Sequence, residues 1–185
     1  MARLGVILGT VRPNRVGASV AQWVADKANA VEGVEAEVID IASFSLPLFA
    51  EPMPPAMSAP RDPAGAKFNE TVSSYDALIF VSPEYNHSIP GALKNAIDFL
   101  EPKALANKGV GFVGYSFSGA VRQVEHLRQI LANFEAAMVA QQVSLSLITD
   151  FENKSEFKPD AHHDNEVQGM VEAMVARSDA LLGLC

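Results

Sequence analysis

The stretch Leu4-Gly5-Val6-Ile7-Leu8-Gly9-Thr10-Val11-Arg12-Pro13-Asn14-Arg15-Val16-Gly17-Ala18-Ser19 runs from an apolar segment, through a polar turn, into a helical pattern. A short continuous apolar run bounded by glycine suits a strand buried on both faces of a parallel sheet. From Val16 the period changes, and Val16, Val20, Trp23, Val24, Ala28 and Val31 share one helical stripe. The helix N-terminus that follows the turn offers unpaired N–H groups and a partial positive charge. Thr10 adds a hydroxyl, and Arg12 and Arg15 each bring a planar fork suited to phosphate. No Asp or Glu precedes Asp26, while Arg3, Arg12 and Arg15 all lie in that opening segment. The turn therefore reads as an anion site rather than a plain surface loop. It is neither a Walker loop nor a Gly-x-Gly-x-x-Gly fingerprint, which favours a terminal phosphate over a pyrophosphate.

The same alternation continues along the chain. Ala77–Val81 and Val110–Val113 are further continuous apolar runs, whereas Val34–Val38 and Val143–Leu147 alternate apolar with polar residues. Alternation implies one wetter face, so the second and fifth strands belong at the edges and the first, third and fourth inside. That pattern predicts a single α/β domain over residues 1–185 with a five-stranded, doubly wound parallel sheet, helices on both faces. It agrees with the flavodoxin-like order 2-1-3-4-5, and other orders with the same edges stay open. Helical stripes are read at Leu93–Leu100, Ala120–Phe134 and Val167–Leu181, with a weaker helix over Ala64–Ser74. Ser43–Pro63 carries six of the 11 prolines and is irregular. Its Leu46, Leu48, Phe49 and Met53 favour an arm packed on the body or on a second subunit.

A chain of 185 residues, 49% hydrophobic and 19% charged, is long enough to bury a core unaided. Net charge of −8 argues against a nucleic-acid surface. The single cysteine, Cys185, excludes an intrachain disulfide and any cysteine-built metal centre, which fits a reducing compartment. No signal-peptide pattern and no membrane-length apolar run occur, so a cytoplasmic location and no membrane partner are expected.

In an open parallel sheet, ligands sit beyond the carboxyl ends of the strands. Two more loops reach that place. Ser82–Pro90 leads into Pro90-Gly91-Ala92-Leu93-Lys94-Asn95-Ala96-Ile97-Asp98 and gathers Pro83, Glu84, Tyr85, Asn86, His87 and Ser88. Such groups suit a flat ring with carbonyls and ring nitrogens, although on the residues alone this is a polar loop of no assigned role. The third loop is Gly114-Tyr115-Ser116-Phe117-Ser118-Gly119. His162-His163 reads as a solvated helix start rather than a metal site, His126 as structural or exposed, and Lys94 with Asp98 as an ion pair one turn apart.

Pro-Glu-Tyr-Asn-x-Ser-x-Pro-Gly-x-Leu-Lys-Asn-Ala-Ile-Asp, with Gly-Thr-x-Arg-x-x-Arg-x-Gly after the first strand, resembles the NAD(P)H-dependent FMN reductase family. That family includes quinone, azo-dye and chromate reductases. The resemblance extends to about Arg128. It implies FMN with its phosphate at Thr10, Arg12, Arg15, Gly17 and Ala18, and its ring along Pro83, Glu84, Tyr85, Asn86 and Ser88. Gly114, Tyr115, Ser116, Ser118 and Gly119 would close the far edge. It further implies NADPH or NADH as co-substrate, hydride transfer at the flavin without a side-chain nucleophile or a metal, and a small-molecule electron acceptor. A homodimer or homotetramer follows from the same resemblance. Gly119-Ala120 stands where many relatives carry Gly-Gly, which puts a backbone contact there in doubt.

Three rival readings remain. A hydrolase would draw on Ser116 or Ser118 with Asp150 and His163, but Gly-x-Ser-x-Gly is missing. A flavodoxin-type electron carrier would have a Thr- and Gly-rich phosphate loop without arginines. The third is a flavin-sensing binding protein without nicotinamide turnover.

Overall fold

Ala77–Pro83 (β3) and Gly109–Ser116 (β4) contain no exposed residue, so both faces of the sheet they form must be covered. The computed structural model describes residues 1–184, and Cys185 lies outside the described residues. Ala2–Leu8 (β1), Val34–Asp40 (β2) and Ala137–Ser146 (β5) complete a parallel sheet ordered β2-β1-β3-β4-β5. This is the doubly wound order expected from the strand patterns, with the alternating strands at the edges.

Gly17–Asn29 (α1) and His162–Leu181 (α5) cover one face. There Val20, Val24, Val167 and Met170 pack on Leu4, Val6 and Ile79. Pro63–Ser73 (α2), Gly91–Asp98 (α3) and Val121–Leu131 (α4) cover the other, where Phe68, Leu93, Ile97 and Leu127 meet Ile7, Phe80 and Phe112. The start of α2 is set locally: the Asp62 carboxylate accepts the N–H groups of Ala64 and Gly65, and Pro63 occupies the first turn. Among the described residues no helix is long and apolar enough to cross a membrane.

β5 begins at Ala137, six residues before the expected Val143. Its polar Gln141 and Gln142 lie on an edge strand, and the register with β4 shifts between Val110 and Phe112 to absorb the extra length. A two-stranded antiparallel hairpin, Phe151–Glu152 (β6) with Glu156–Phe157 (β7), follows it.

The proline-rich segment has no regular structure beyond the 3-10 turn Ile41–Phe44 that opens it, and it is fastened to the body. Asn95 of α3 accepts the Phe49 N–H and donates to the Pro47 carbonyl, both at 2.8 Å. The Phe49 ring meets Phe99 edge-on at 5.1 Å. Further along, the Glu51 carboxylate accepts the N–H groups of Arg61 and Asp62. Leu48 and Met57 remain 85% and 72% exposed.

One close backbone contact between helix and sheet is at Gly109. A Cβ there would lie 2.2 Å from the Met174 carbonyl oxygen of α5. The Gly109 N–H donates to Ser178 Oγ, which itself donates to the Asp76 carbonyl. Overpacking a rigid backbone contact costs about 1–3 kcal/mol. Gly109→Ala should therefore lose about that much stability in urea unfolding. Gly91→Ala, where a Cβ meets nothing within 4 Å, should be neutral or slightly stabilising.

Candidate functional site

The parallel register brings the ends of β1, β3 and β4 to one edge, and the three polar loops emerge there together. Gly9 continues alongside β3 through its N–H to the Val81 carbonyl at 2.9 Å. The buried Thr10 hydroxyl then meets the Tyr85 hydroxyl at 2.9 Å, tying the first loop to the second. Val16 precedes α1 without a side-chain cap, and no acid lies in the helix's first turn, so its N–H groups stay available. A Cβ at Gly17 would fall 2.2 Å from the Tyr115 hydroxyl, so only glycine lets that ring reach beneath the helix start.

The two arginines of the first loop differ. Arg15 pairs through its Nη2 with Asp40 at the end of β2, and its Nε is buried without a partner. Arg12 is exposed, with its guanidinium carbon 5.9 Å from the Tyr85 ring centre. Asp40 thus neutralises one cation of the loop and leaves the other.

The second loop is a tight turn. Tyr85 and Ser88 exchange both backbone hydrogen bonds, at 2.9 and 3.0 Å, around Asn86 and His87. Those two residues have φ of 49° and 67°, the left-handed pair such a turn requires. Asn86 and His87 are exposed, and Ser88 Oγ bonds His126 Nδ1 at 3.0 Å. The Glu84 side chain is only 5% exposed. Its Oε1 accepts two bonds from Arg122, whose Nη2 also reaches Ser118 Oγ, clamping the second loop to the third. Glu84 Oε2 is buried without a partner.

In the third loop Ser116 Oγ accepts the N–H groups of Ser118 and Ala120, at 3.0 and 2.8 Å. Ala120 takes a left-handed conformation, φ 56°. Ala120 therefore adopts a conformation more usual for glycine, and its N–H is already bonded. Burial pushes the Tyr115 hydroxyl well above its ordinary pKa; nearby Tyr85 adds to the rise, while Arg15 and Arg12 oppose it. Tyr115 is a neutral hydroxyl at any physiological pH.

The loops enclose a cavity of about 290 Å³. Arg12, Asn14, Arg15 and Val16 line it from the first loop, and Pro83, Glu84 and Tyr85 from the second. Tyr115, Ser116 and Phe117 line it from the third, with Leu147 and Lys154 beyond β5. Of the other residues the sequence points to, Thr10 and Gly17 sit directly behind the lining. Ala18 is exposed in the first turn of α1, and Gly114 is buried under α4. Asn86, Ser88, Ser118 and Gly119 lie on the two loops outside the lining. A larger cavity of about 740 Å³ lies at the opposite end of the sheet, near Ala2, Ala77 and Ser178. The chemistry-bearing loops are at the smaller one.

His163 is not a solvated residue. It is buried, with Nδ1 2.6 Å from Glu166 one turn along α5 and Nε2 3.2 Å from Asp150, the residue before β6. His162 next to it is exposed and bonds Asp160. The serine–aspartate–histidine reading lacks its serine–histidine bond, since both His163 nitrogens go to carboxylates, Ser116 Oγ accepts the N–H groups of its own loop and Ser118 Oγ accepts from Arg122. His163 is held between two carboxylates. Asp40, Arg122, Leu147 and Lys154 carry no motif of their own, and only the fold brings them to the site.

The sequence model of the NADPH-dependent FMN reductases matches residues 2–150. An NAD(P)H-dependent FMN reductase of Nectria sp is 36% identical over 137 residues, 71% of this chain and 68% of that protein. An NADPH azoreductase of a Bacillus species is 28% identical over 165 residues, 86% of each chain. Among solved structures, FerB, a flavoenzyme NAD(P)H:(acceptor) oxidoreductase from Paracoccus denitrificans, superimposes with a TM-score of 0.75 at 22% identity, over 97% of this chain and 98% of that one. A strand–loop–helix cradle with a free arginine, a ring-sized polar turn beside it and a match over most of the chain agree: the chain belongs to the NADPH-dependent FMN reductase family.

Proposed function

We propose that the cavity at the carboxyl ends of β1, β3 and β4 holds FMN, its phosphate at the first loop and its ring along the second and third. One observation carries this reading: two lining residues hold buried polar atoms that find no partner in the protein, a donor at Arg15 Nε and an acceptor at Glu84 Oε2. Leaving such a group unpaired costs roughly 1–3 kcal/mol. FMN offers what each lacks, phosphate oxygens for the guanidinium and a ring N–H for the carboxylate.

The protein is an FMN-dependent oxidoreductase served by NAD(P)H. Bound FMN supplies a ring that takes a hydride from NADPH or NADH and passes the electrons to a small acceptor. The chain's own residues bind and orient. Thr10, Arg12, Arg15, Gly17 and Ala18 take the phosphate at the uncapped start of α1. Pro83, Glu84, Tyr85, Asn86 and Ser88 flank the ring, and Gly114, Tyr115, Ser116, Ser118 and Gly119 bound its far side. A cavity of about 290 Å³ is at the small end of the roughly 300–1,000 Å³ usual for such sites. Asn86, Ser88 and Ser118, on the two loops just outside the lining, would hold any part of the ring that the cavity does not enclose. The Arg122–Glu84 clamp fixes the spacing of the two walls. The acceptor class is a quinone, free flavin, azo compound or metal oxyanion, consistent with the reductase and azoreductase names of the relatives.

Exposed Val11 and Phe117 beside the cavity, with Leu48 and Met57 on the arm, supply apolar surface for a second copy. A homodimer or homotetramer is the proposed assembly. Light scattering on a sizing column should give two or four times 19.8 kDa, and a monomer would refute this.

Stopped-flow mixing of the FMN-loaded protein with NADPH or NADH should bleach the flavin rapidly without acceptor. Bleaching by dithionite but by neither nicotinamide would indicate an electron carrier instead. Arg12→Ala should weaken FMN binding about 10- to 100-fold, the worth of a hydrogen bond to a charged group. Its effect on riboflavin, which lacks the phosphate, should be negligible. Fluorescence-quenching titrations of the apoprotein measure both, and equal losses would place the phosphate elsewhere.

A further inference from the structure

We propose that Lys154, at the tip of the β6–β7 hairpin, binds a phosphate monoester at the mouth of the cavity. The inference rests on the reading of the cavity as the FMN site but concerns a residue beyond the segment 2–150 that the family's sequence model matches.

Three observations converge on Lys154. The hairpin is packed on the body beside the cavity, which its Lys154 lines. Phe151 is buried, lies 6.2 Å from the Tyr115 ring and 5.1 Å from Phe157, and Phe157 is capped edge-on by Trp23 at 5.4 Å. At the base of the hairpin the Lys158 N–H donates to the Asp150 carbonyl, and the Asp150 carboxylate is bonded to His163. The tip residues Asn153 and Lys154 both take left-handed φ, 50° and 59°, which fixes the tight turn that presents Lys154.

The charges on the hairpin are also sorted. Lys158 pairs with Glu152 at 2.7 Å and approaches Glu156 at 4.0 Å, so one lysine takes both glutamates of the hairpin. Lys154 has no carboxylate partner among the described residues. Its ammonium rests 5.6 Å from the Phe117 ring centre, and the residue lines the same cavity as Arg12, Asn14 and Arg15. Arg15 is already neutralised by Asp40. The cavity therefore presents two cations without a carboxylate partner, Arg12 and Lys154, from opposite ends of the chain. An acidic protein with a net charge of −8 keeps both unpaired at one mouth. Two cations beside an uncapped helix start suit a dianion better than a single negative charge.

A phosphate monoester dianion can reach this place from two sources, the 5′-phosphate of FMN or the 2′-phosphate of NADPH. Lys154→Gln keeps the length and removes the charge, and lies on an exposed turn where it does not threaten folding. Apoprotein carrying the substitution is titrated with FMN and with riboflavin. FMN-loaded protein is titrated with NADP⁺ and with NAD⁺, followed by the flavin absorbance change. A roughly three- to tenfold loss for FMN with riboflavin unchanged assigns Lys154 to the flavin phosphate. The same loss for NADP⁺ with NAD⁺ unchanged assigns it to the nucleotide phosphate, and Lys154→Arg should restore whichever is lost. If neither pair separates while Arg12→Ala still discriminates FMN from riboflavin, the inference about Lys154 is overturned and the cavity reading stands. If neither substitution discriminates, both are overturned.

Discussion

A strand that shows water neither face cannot be left with a bare side, and β3 and β4 are two such strands side by side. Every buried apolar residue in them demands a covering helix, and parallel pairing demands a crossover for each step. The helices are therefore distributed above and below the sheet, and their packing on it is close enough that Gly109 touches the backbone of α5. The same pairing places all strand ends at one edge. The polar loops have no freedom to be elsewhere: a loop that joins a buried parallel strand to its helix must open at the carboxyl end of the sheet.

What those loops do is then a matter of charge sorting. β1 and β2 are paired so that Leu8 lies opposite Asp40. Asp40 is thus delivered to the side of Arg15, and one of the loop's two arginines is neutralised where it stands. Glu84 is held by Arg122 across the gap between the second and third loops. Tyr85 is bonded through its hydroxyl to Thr10, so the first and second loops are one unit. Two buried atoms of these loops stay unpaired, Arg15 Nε and Glu84 Oε2, and both belong to residues on the walls of one cavity.

Which strands lie at the edges was legible because continuous and alternating runs differ in plain sight, and the two outer strands alternate; those patterns leave the order of the inner three open. The three loops were legible because each joins a run of one period to a run of another. The Arg15–Asp40 pair was not, since its partners are 25 residues apart and only strand register joins them. The length of β5 was hidden for a related reason. An edge strand tolerates Gln141 and Gln142, so its pattern breaks before its hydrogen bonding does. His163 reads as exposed because an adjacent histidine pair at a helix start usually is; its partner Asp150 lies 13 residues earlier, and the two-residue strands of the hairpin between them are too short to show in a pattern. Lys154 was hidden by that same hairpin.

The amide of Asn95 gives both its ends to the proline-rich arm, accepting from Phe49 and donating to Pro47. Asn95 also belongs to the run Leu-Lys-Asn-Ala-Ile-Asp, which reads as part of a flavin signature. Its side chain is not among those that line the cavity. A stretch of sequence that reads as one motif therefore answers to two masters, the turn at its start and a clasp in its helix. A relative with a shorter arm is released from the second obligation, and its sequence can drift at that position while the chemistry of the loop stays intact.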